Sequence, residues 1–157
     1  MYLDETVAQC VRSIESLAAQ RGLSLRYEAT ARELFFNGDE GLIRRMALNI
    51  LDNAIKYTPR GGTVQVSLQR NGGECKVAIA DTGLGIPAEL QPRVFERFFR
   101  ADQARSRSTE KNGSGAGLGL SIARWIAEIH GGRLLLDRSD QNGTTFVISL
   151  PLQQANG

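Results

Sequence analysis

The stretch Asn49-Ile50-Leu51-Asp52-Asn53-Ala54-Ile55-Lys56-Tyr57-Thr58-Pro59 is the most informative part of the chain. Its apolar residues recur at helical spacing, and the pattern predicts an amphipathic helix that ends before the proline. Side-chain amide oxygens can coordinate a Mg²⁺ ion that is also bound by phosphate oxygens. A neighbouring lysine can neutralise phosphate charge. A polar arc of about 100° beside the apolar face therefore suits a metal-bound polyphosphate; it comprises Asn49, Asn53, Lys56 and Tyr57. Solvated side chains on an ordinary helix would give the same arc.

A glycine motif, Asp81-Thr82-Gly83-Leu84-Gly85-Ile86-Pro87, follows a predicted strand. Its glycines let the backbone turn tightly and approach a ligand. An aspartate at this point can accept a hydrogen bond from an adenine amino group. The alternative is an aspartate that only stabilises a glycine turn.

A second glycine motif, Gly113-Ser114-Gly115-Ala116-Gly117-Leu118-Gly119-Leu120, opens a predicted helix. Free amides and the positive end of the helix dipole converge there, where a phosphate can bind. A dinucleotide-binding fold would need a strand directly before the motif, but residues 101–112 are too polar for one. A protein-kinase glycine loop would lead into a strand, whereas a helix follows here.

An aromatic and basic segment, Phe95-Glu96-Arg97-Phe98-Phe99-Arg100, lies between the two glycine motifs. Aromatic packing can anchor the base of a mobile loop while guanidinium groups cover phosphate oxygens. The polar stretch 101–114 has no periodicity, and its length suggests a functional lid. Arg105 and Arg107 are equally consistent with solvated loop charges.

Composition indicates one globular domain, since the 157 residues are 41% hydrophobic and 23% charged. A net charge of +2 is too small to indicate nucleic-acid binding, and we expect no nucleic-acid partner. Cys10 and Cys75 lack metal-ligand spacing and are expected to be buried thiols in a reducing compartment. With no apolar run of roughly 18 residues and no signal-peptide pattern, the chain is expected to be soluble and cytoplasmic.

Helices and strands occur in separate blocks joined by hairpins, which predicts an α+β two-layer sandwich. We expect a mixed, mostly antiparallel sheet packed against three main helices, with Asp39 as the N-cap of the central helix. The expected domain covers residues 1–152, with a lid at about 99–116 and a disordered tail at 153–157. The predicted helices are 3–19, 40–57, 88–98 and 118–129, and the predicted strands are 23–27, 33–36, 64–69, 75–79, 133–137 and 144–150.

Together these motifs resemble the ATP-binding catalytic domain of sensor histidine kinases, within the Bergerat-fold ATPase superfamily. The asparagine, first glycine, phenylalanine and second glycine boxes occur in the family's order, and Gly143-Thr144-Thr145-Phe146 matches a final element. The resemblance implies a Bergerat fold with a mobile ATP lid, and ATP and Mg²⁺ as ligands. It covers nearly the whole chain.

The resemblance also implies roles for individual residues. Asp81 would read the adenine amino group, and Asn53 would hold Mg²⁺ with Asn49 assisting. Lys56 and Arg100 would contact phosphates, so we assign Asn49, Lys56 and Arg100 as catalytic. The implied nucleotide-binding residues are Asn53, Tyr57, Asp81, Gly83, Gly85, Ile86, Gly115, Gly117, Leu118, Gly119 and Thr145.

Two departures from the family pattern affect this expectation. Ala116 stands where relatives often have a polar side chain, so a phosphate contact there must come from backbone N–H. The helix bearing the phosphoacceptor histidine is absent, and His130 lies at a predicted helix end, where a capping or packing role is natural. The implied partners are a histidine-bearing dimerisation domain of the parent kinase and a response regulator. The parent is expected to be anchored in the bacterial inner membrane.

Two other functions remain possible on this sequence. An ATP-hydrolysing relative would have a glutamate at position 49 to activate water, a role that an amide cannot fill. A nucleotide-sensing interaction module, in which ATP only orders the lid for a partner, would need the same binding residues without catalysis.

Overall fold

The computed structural model describes residues 1–99 and 118–153. Within these residues one five-stranded sheet has the strand order β1-β2-β3-β5-β4. The β1–β2 pair is parallel, and the other three pairs are antiparallel. The elements in chain order are α1 (Leu3–Ser13), α2 (Glu15–Gln20), β1 (Ser24–Ala29), α3 (Glu40–Tyr57), β2 (Thr63–Asn71), β3 (Glu74–Asp81), a 3-10 helix (Ala88–Arg93), α4 (Gly119–Ile129), β4 (Arg133–Asp140) and β5 (Gly143–Pro151).

The core lies between one face of this sheet and the layer of helices. Strand side chains alternate in burial, as in Val64, Val66 and Leu68 of β2, because successive residues of a strand point to opposite faces. Ile50 and Leu51 of α3 are completely buried in the same core. The α+β two-layer architecture predicted from the sequence is confirmed. Across the described ranges, no helix is long and apolar enough to cross a membrane.

The central helix α3 begins and ends where the sequence predicts. Its N-cap is Asp39, whose Oδ1 accepts the backbone N–H of Leu42 at 3.0 Å. The helix ends at Tyr57, and the extended backbone of Thr58 leads into Pro59. The Thr58 hydroxyl donates to the Ala54 carbonyl at 2.7 Å, which satisfies an acceptor in the last turn. Both ends of the asparagine-bearing helix are therefore fixed.

The predicted helix 3–19 is in fact two helices, because the backbone leaves helical geometry at Ile14. The Ser13 hydroxyl donates to the Cys10 carbonyl at 2.7 Å, and Ile14 N–H bonds to Val11 instead of Cys10. A side chain that bonds the carbonyl of the preceding turn competes with the helical ladder in this way.

The predicted strand 33–36 was wrong. Phe35 makes only an isolated bridge to Tyr2, and Glu33 has a positive φ of 54°. The carboxylate of Asp4 accepts the backbone N–H groups of Glu33 and Leu34 at 3.1 and 3.0 Å. The segment is thus fastened to the start of α1 and not to the sheet.

The predicted helix 88–98 is shorter than expected and is a 3-10 helix that ends at Arg93. Pro92 lies inside it and has no N–H to donate to the carbonyl four residues earlier, so an α-helical ladder cannot form there. Phe98, with φ of 65°, then redirects the chain.

Candidate functional site

Asp81 lies at the end of β3 with one carboxylate oxygen engaged. Its Oδ1 accepts the N–H of Gly83 at 2.8 Å and that of Thr144, its partner on β5, at 3.2 Å. Among the described residues, Oδ2 has no hydrogen-bond partner. Burial raises the pKa of Asp81, while the two backbone donors act in the opposite direction. The arrangement leaves one carboxylate oxygen that can accept a further hydrogen bond.

The first glycine motif holds this carboxylate against the neighbouring elements. A Cβ added to Gly83 would lie 2.7 Å from the Tyr57 carbonyl oxygen, so only glycine lets the loop approach the end of α3. Gly85 has φ of +77° and packs on the backbone of Asp140. Ile86 N–H donates to the Ser139 hydroxyl at 2.8 Å. The predicted residues Gly83, Gly85 and Ile86 therefore form one loop around Asp81.

The threonines of β5 are arranged differently from the sequence expectation, which selected Thr145. Thr144 donates its N–H to Asp81, and its hydroxyl oxygen lies 2.8 Å from that of Ser139. Thr145 pairs with Ala80 and, by strand alternation, points to the sheet face opposite buried Phe146. Sequence reasoning missed Thr144 and Ser139. The Asn142-Gly143 turn sets the register of β5 against β4, and no local signal indicates the register of β5 against Asp81.

Asn49 lies at the N-terminus of α4, the position predicted to bind phosphate. Its Nδ2 donates to the Gly119 carbonyl at 3.2 Å, which leaves Oδ1 of the same amide available as a ligand. Asn53 is half-buried one turn further along α3, so its side chain lies on the same face. Leu118 precedes the helix, and its carbonyl accepts the Ser121 hydroxyl and the Ile122 N–H at 2.9 Å each. The side-chain amides of Asn49 and Asn53 and the backbone N–H groups at the N-terminus of α4 thus lie at one end of the site.

Lys56 and Tyr57 occupy the last turn of α3, toward Asp81. The Lys56 Nζ lies 5.1 Å from the centre of the Tyr57 ring, and the Tyr57 carbonyl contacts the Gly83 backbone. From Asn49 to Tyr57 the helix axis advances about 12 Å. The site is therefore elongated, with the carboxylate at one end and the amides and α4 N-terminus at the other.

The aromatic segment between the glycine motifs packs partly into the core. Phe95 meets Phe146 edge-on at 5.9 Å between ring centres, and the Arg124 guanidinium lies 5.3 Å from the Phe95 ring. Val94 is buried, whereas Phe98 is 60% exposed. Phe95 packs into the core, but the lid lies outside the described residues, so its anchoring by aromatic packing stays a prediction.

The remaining predicted residues, Arg100, Gly115, Ala116 and Gly117, lie outside the described residues, as does the lid from residue 100 to 116. In the ranges that are described, no group of three His, Cys, Asp or Glu side chains could hold a metal ion. A metal at the asparagine end would need the amide oxygens of Asn49 and Asn53, phosphate oxygens and water. Mg²⁺ accepts this set of ligands, so the residues present fit it.

Known proteins are similar to this chain in sequence and in structure. The sequence profile of the histidine kinase-, DNA gyrase B- and HSP90-like ATPases matches residues 38–154. The sensor-like histidine kinase SenX3 of Mycolicibacterium smegmatis is 45% identical over 114 residues, which are 73% of this chain and 29% of that protein. Solved structures of histidine kinases are similar as well.

The structure of the mycobacterial sensor histidine kinase MprB superposes with a TM-score of 0.79 and 32% identity, over 98% of this chain and 97% of that chain. Full-length ShkA in complex with AMPPNP gives a TM-score of 0.84 at 25% identity, over 100% of this chain and 31% of that chain. The chain spans about a third of the length of the curated relatives it matches, from 28% to 39%.

Proposed function

Because the chain belongs to the family of histidine kinase-, DNA gyrase B- and HSP90-like ATPases, we propose that it binds Mg²⁺-ATP as the catalytic domain of a sensor histidine kinase. In this role it donates the γ-phosphoryl group of ATP to a histidine on the dimerisation domain of the parent protein. A response regulator then receives the phosphoryl group. The parent is anchored in the bacterial inner membrane with this domain in the cytoplasm.

The observation that carries the proposal is the carboxylate of Asp81. Its Oδ1 accepts two backbone donors, so the position of Oδ2 is fixed and this oxygen can accept a hydrogen bond from a ligand. The adenine amino group is a donor that matches it, and a guanine base presents a carbonyl oxygen at the same ring position. Oriented Asp81 therefore selects adenine by hydrogen-bond complementarity.

The other end of the site suits the triphosphate. Asn49 is held by Gly119, with its amide oxygen available, and Asn53 lies one turn away. These oxygens would hold Mg²⁺, which when bound supplies charge neutralisation at the phosphate oxygens. The N-terminus of α4, Lys56 and the proposed Arg100 add positive charge. Phosphoryl transfer passes through a loose transition state, so positioning and charge neutralisation are what the protein must provide.

The residue at position 49 and the contacts of His130 favour transfer to a histidine outside this chain over hydrolysis. The side chain at position 49 is an amide and cannot take a proton from water as a carboxylate would. Both ring nitrogens of His130, the one histidine in the sequence, hydrogen-bond backbone groups, those of Asp39 and Ile126, and the ring lies at the opposite end of α4 from Gly119. We therefore expect the domain alone to bind ATP and to autophosphorylate little.

The experiment that tests the proposal supplies the missing acceptor. The chain is mixed with a dimerisation domain that carries the histidine, taken from a related sensor kinase, and with ATP labelled on the γ-phosphate. We expect acid-labile phosphohistidine on the acceptor. Asn53→Ala is expected to lower the rate about 100-fold, because an interaction at the phosphates is lost, while Asp52→Ala, an exposed neighbour on α3, leaves it unchanged. Nucleotide binding without any phosphohistidine would instead support the nucleotide-sensing module.

The pKa of Asp81 predicts how adenosine binding depends on pH. Adenosine needs the ionised carboxylate, and burial raises the pKa of Asp81. Affinity should therefore fall as pH decreases through that raised pKa, which is at higher pH than for an exposed aspartate. Inosine presents a carbonyl in place of the amino group and should bind better when Asp81 is protonated. Calorimetric titration of both nucleosides, which carry no titrating phosphate, checks this; parallel trends would contradict the role of Asp81.

A further inference from the structure

The imidazole of His130 lies between the ends of two helices. It belongs to the residue that ends α4, and its Nε2 accepts the backbone N–H of Asp39, the N-cap of α3, at 3.1 Å. Its Nδ1 lies 2.8 Å from the Ile126 carbonyl. Because Nε2 accepts, it carries no proton, so Nδ1–H is the donor to Ile126. A single neutral tautomer satisfies both contacts.

Both backbone groups lack a partner within their own helix. The N–H of His130 bonds to Ala127, so the Ile126 carbonyl loses its usual partner four residues on. In a capping box the N-cap N–H is accepted by a glutamate or glutamine three residues later, but Leu42 occupies that position in α3. The imidazole replaces both missing partners and joins the two helix ends.

The imidazole of His130 packs against Phe36 and lies close to Gly38. The ring centre lies 5.7 Å from that of Phe36, at 46° between the planes. A Cβ on Gly38 would be 2.7 Å from His130 Cδ2 and 2.5 Å from Phe36 Cε2. Gly38 therefore lets the chain pass close to the imidazole directly before the N-cap.

Another hydrogen bond between these helices is at the functional site. α3 and α4 run antiparallel, with the start of α3 beside the end of α4 and Asn49 beside Gly119. His130 fixes one end of the pair, and the Asn49–Gly119 hydrogen bond is at the other. A sliding of α4 along α3 would move the α4 N-terminus relative to both asparagines. The adenine end is held separately, by β3 and β5.

We propose that His130 is a positioning residue for the triphosphate end of the site, acting through the register of α3 against α4. The proposal rests on the proposed function, since it assigns the phosphates and Mg²⁺ to the Asn49 end. On this proposal, loss of the His130 contact weakens binding of the metal and the phosphates but not of the base. A change in the register of α3 against α4 alters the contacts to metal and phosphate and leaves those to the base unaltered.

Two substitutions separate the two hydrogen bonds of the ring. His130→Gln places an amide oxygen near the position of Nε2 and keeps the acceptor for Asp39. His130→Asn places an amide nitrogen near Nδ1 and keeps the donor for Ile126 but loses the link to α3. Calorimetry then gives the affinity of each variant for adenosine and for a non-hydrolysable ATP analogue with Mg²⁺. Thermal unfolding gives the folded fraction.

We expect His130→Asn to weaken binding of the Mg²⁺-bound analogue about 5- to 10-fold, the value of one hydrogen bond, and to leave adenosine affinity unchanged. His130→Gln should stay within about twofold of the native chain for both ligands. Equal losses for adenosine and the analogue in His130→Asn, or full retention of both affinities, would overturn the proposal. If the native chain binds neither ligand, the proposed function fails instead.

A measurement on the native chain tests the same coupling without a variant. Linkage requires that, if the His130 contact favours binding of the Mg²⁺-bound analogue, binding also strengthens the His130 contact. The ¹⁵N shift of Nε2, which reports its acceptor role, should move when the Mg²⁺-bound analogue is added and stay unchanged with adenosine. An Nε2 chemical shift that stays unchanged at saturating concentrations of the analogue would contradict the proposal, even if the asparagine variant failed to fold.

Discussion

Asp81→Asn is expected to weaken binding of ATP analogues roughly 30- to 150-fold, or about 2–3 kcal/mol. The asparagine Oδ1 keeps the N–H donors of Gly83 and Thr144, because these fix the oxygen side of the amide. The NH₂ group then replaces Oδ2 and directs a donor at the adenine amino donor. Calorimetric titration of the native chain and the variant with the Mg²⁺-bound analogue measures the effect.

The same variant should not lose stability at neutral pH. Folding raises the pKa of Asp81, so its protonated form stabilises the fold below the ordinary aspartate pKa, and that stabilisation is lost as pH rises through the raised value. Asparagine is uncharged and removes the cost of ionisation at neutral pH. Denaturant unfolding should show equal or higher stability for Asp81→Asn.

The control for binding is Asp137→Asn, a substitution at an exposed residue of β4, which should leave nucleotide affinity as in the native chain. Retained affinity in Asp81→Asn would contradict adenine recognition by this carboxylate.

Gly143→Ala is expected to destabilise the protein by at least about 3 kcal/mol, which is in the range of the most damaging single substitutions. Gly143 has φ of +133°, a conformation that L residues rarely adopt, and an added Cβ would overlap the backbone carbonyl of Asp81. To relieve this overlap, β5 must move away from β3, and that movement also breaks the Thr144–Asp81 hydrogen bond. Urea unfolding gives the change in the free energy of unfolding.

Gly73→Ala is the matched control, since Gly73 also lies in a hairpin turn but a Cβ there meets no atom within 4 Å and its φ is not in the left-handed range. Gly73→Ala should change the free energy of unfolding by no more than about 0.5 kcal/mol. We expect the change to be stabilising, because alanine restricts the conformations of the unfolded chain. Similar costs for Gly143→Ala and Gly73→Ala would show that the close approach at Gly143 is not a constraint on the fold.

The sequence correctly predicted the elements whose ends and faces depend on interactions between residues close together in the chain. The periodicity of α3, its Asp39 cap and the Pro59 stop fixed both helix ends, and alternation identified β2 and β3. The first glycine motif was placed at the end of a strand, and the structure puts it there. In each case the deciding interactions lie within a few residues of one another in the chain.

Contacts between distant segments explain what sequence reasoning missed. Three of residues 33–36 are apolar, as in a buried strand, yet Asp4, about 30 residues earlier, accepts the backbone N–H groups of Glu33 and Leu34. Thr144 joins Asp81 through strand register, and a shift of one residue exchanges the roles of Thr144 and Thr145. The bridge from His130 to Asp39 spans 91 residues. No spacing rule within one segment reports such pairs.

The most direct test of an ATP site between Asp81 and Asn49 is an NMR titration of the ¹⁵N-labelled chain with a non-hydrolysable ATP analogue and Mg²⁺. We expect saturable shifts of backbone amides at Gly83, Ile86, Thr144 and Gly119 and of the Asn49 side-chain amide, with the α1–β1 groove around Arg12 and Tyr27 unaffected. Absence of saturable shifts, or shifts confined to that groove, would contradict the assignment of the site.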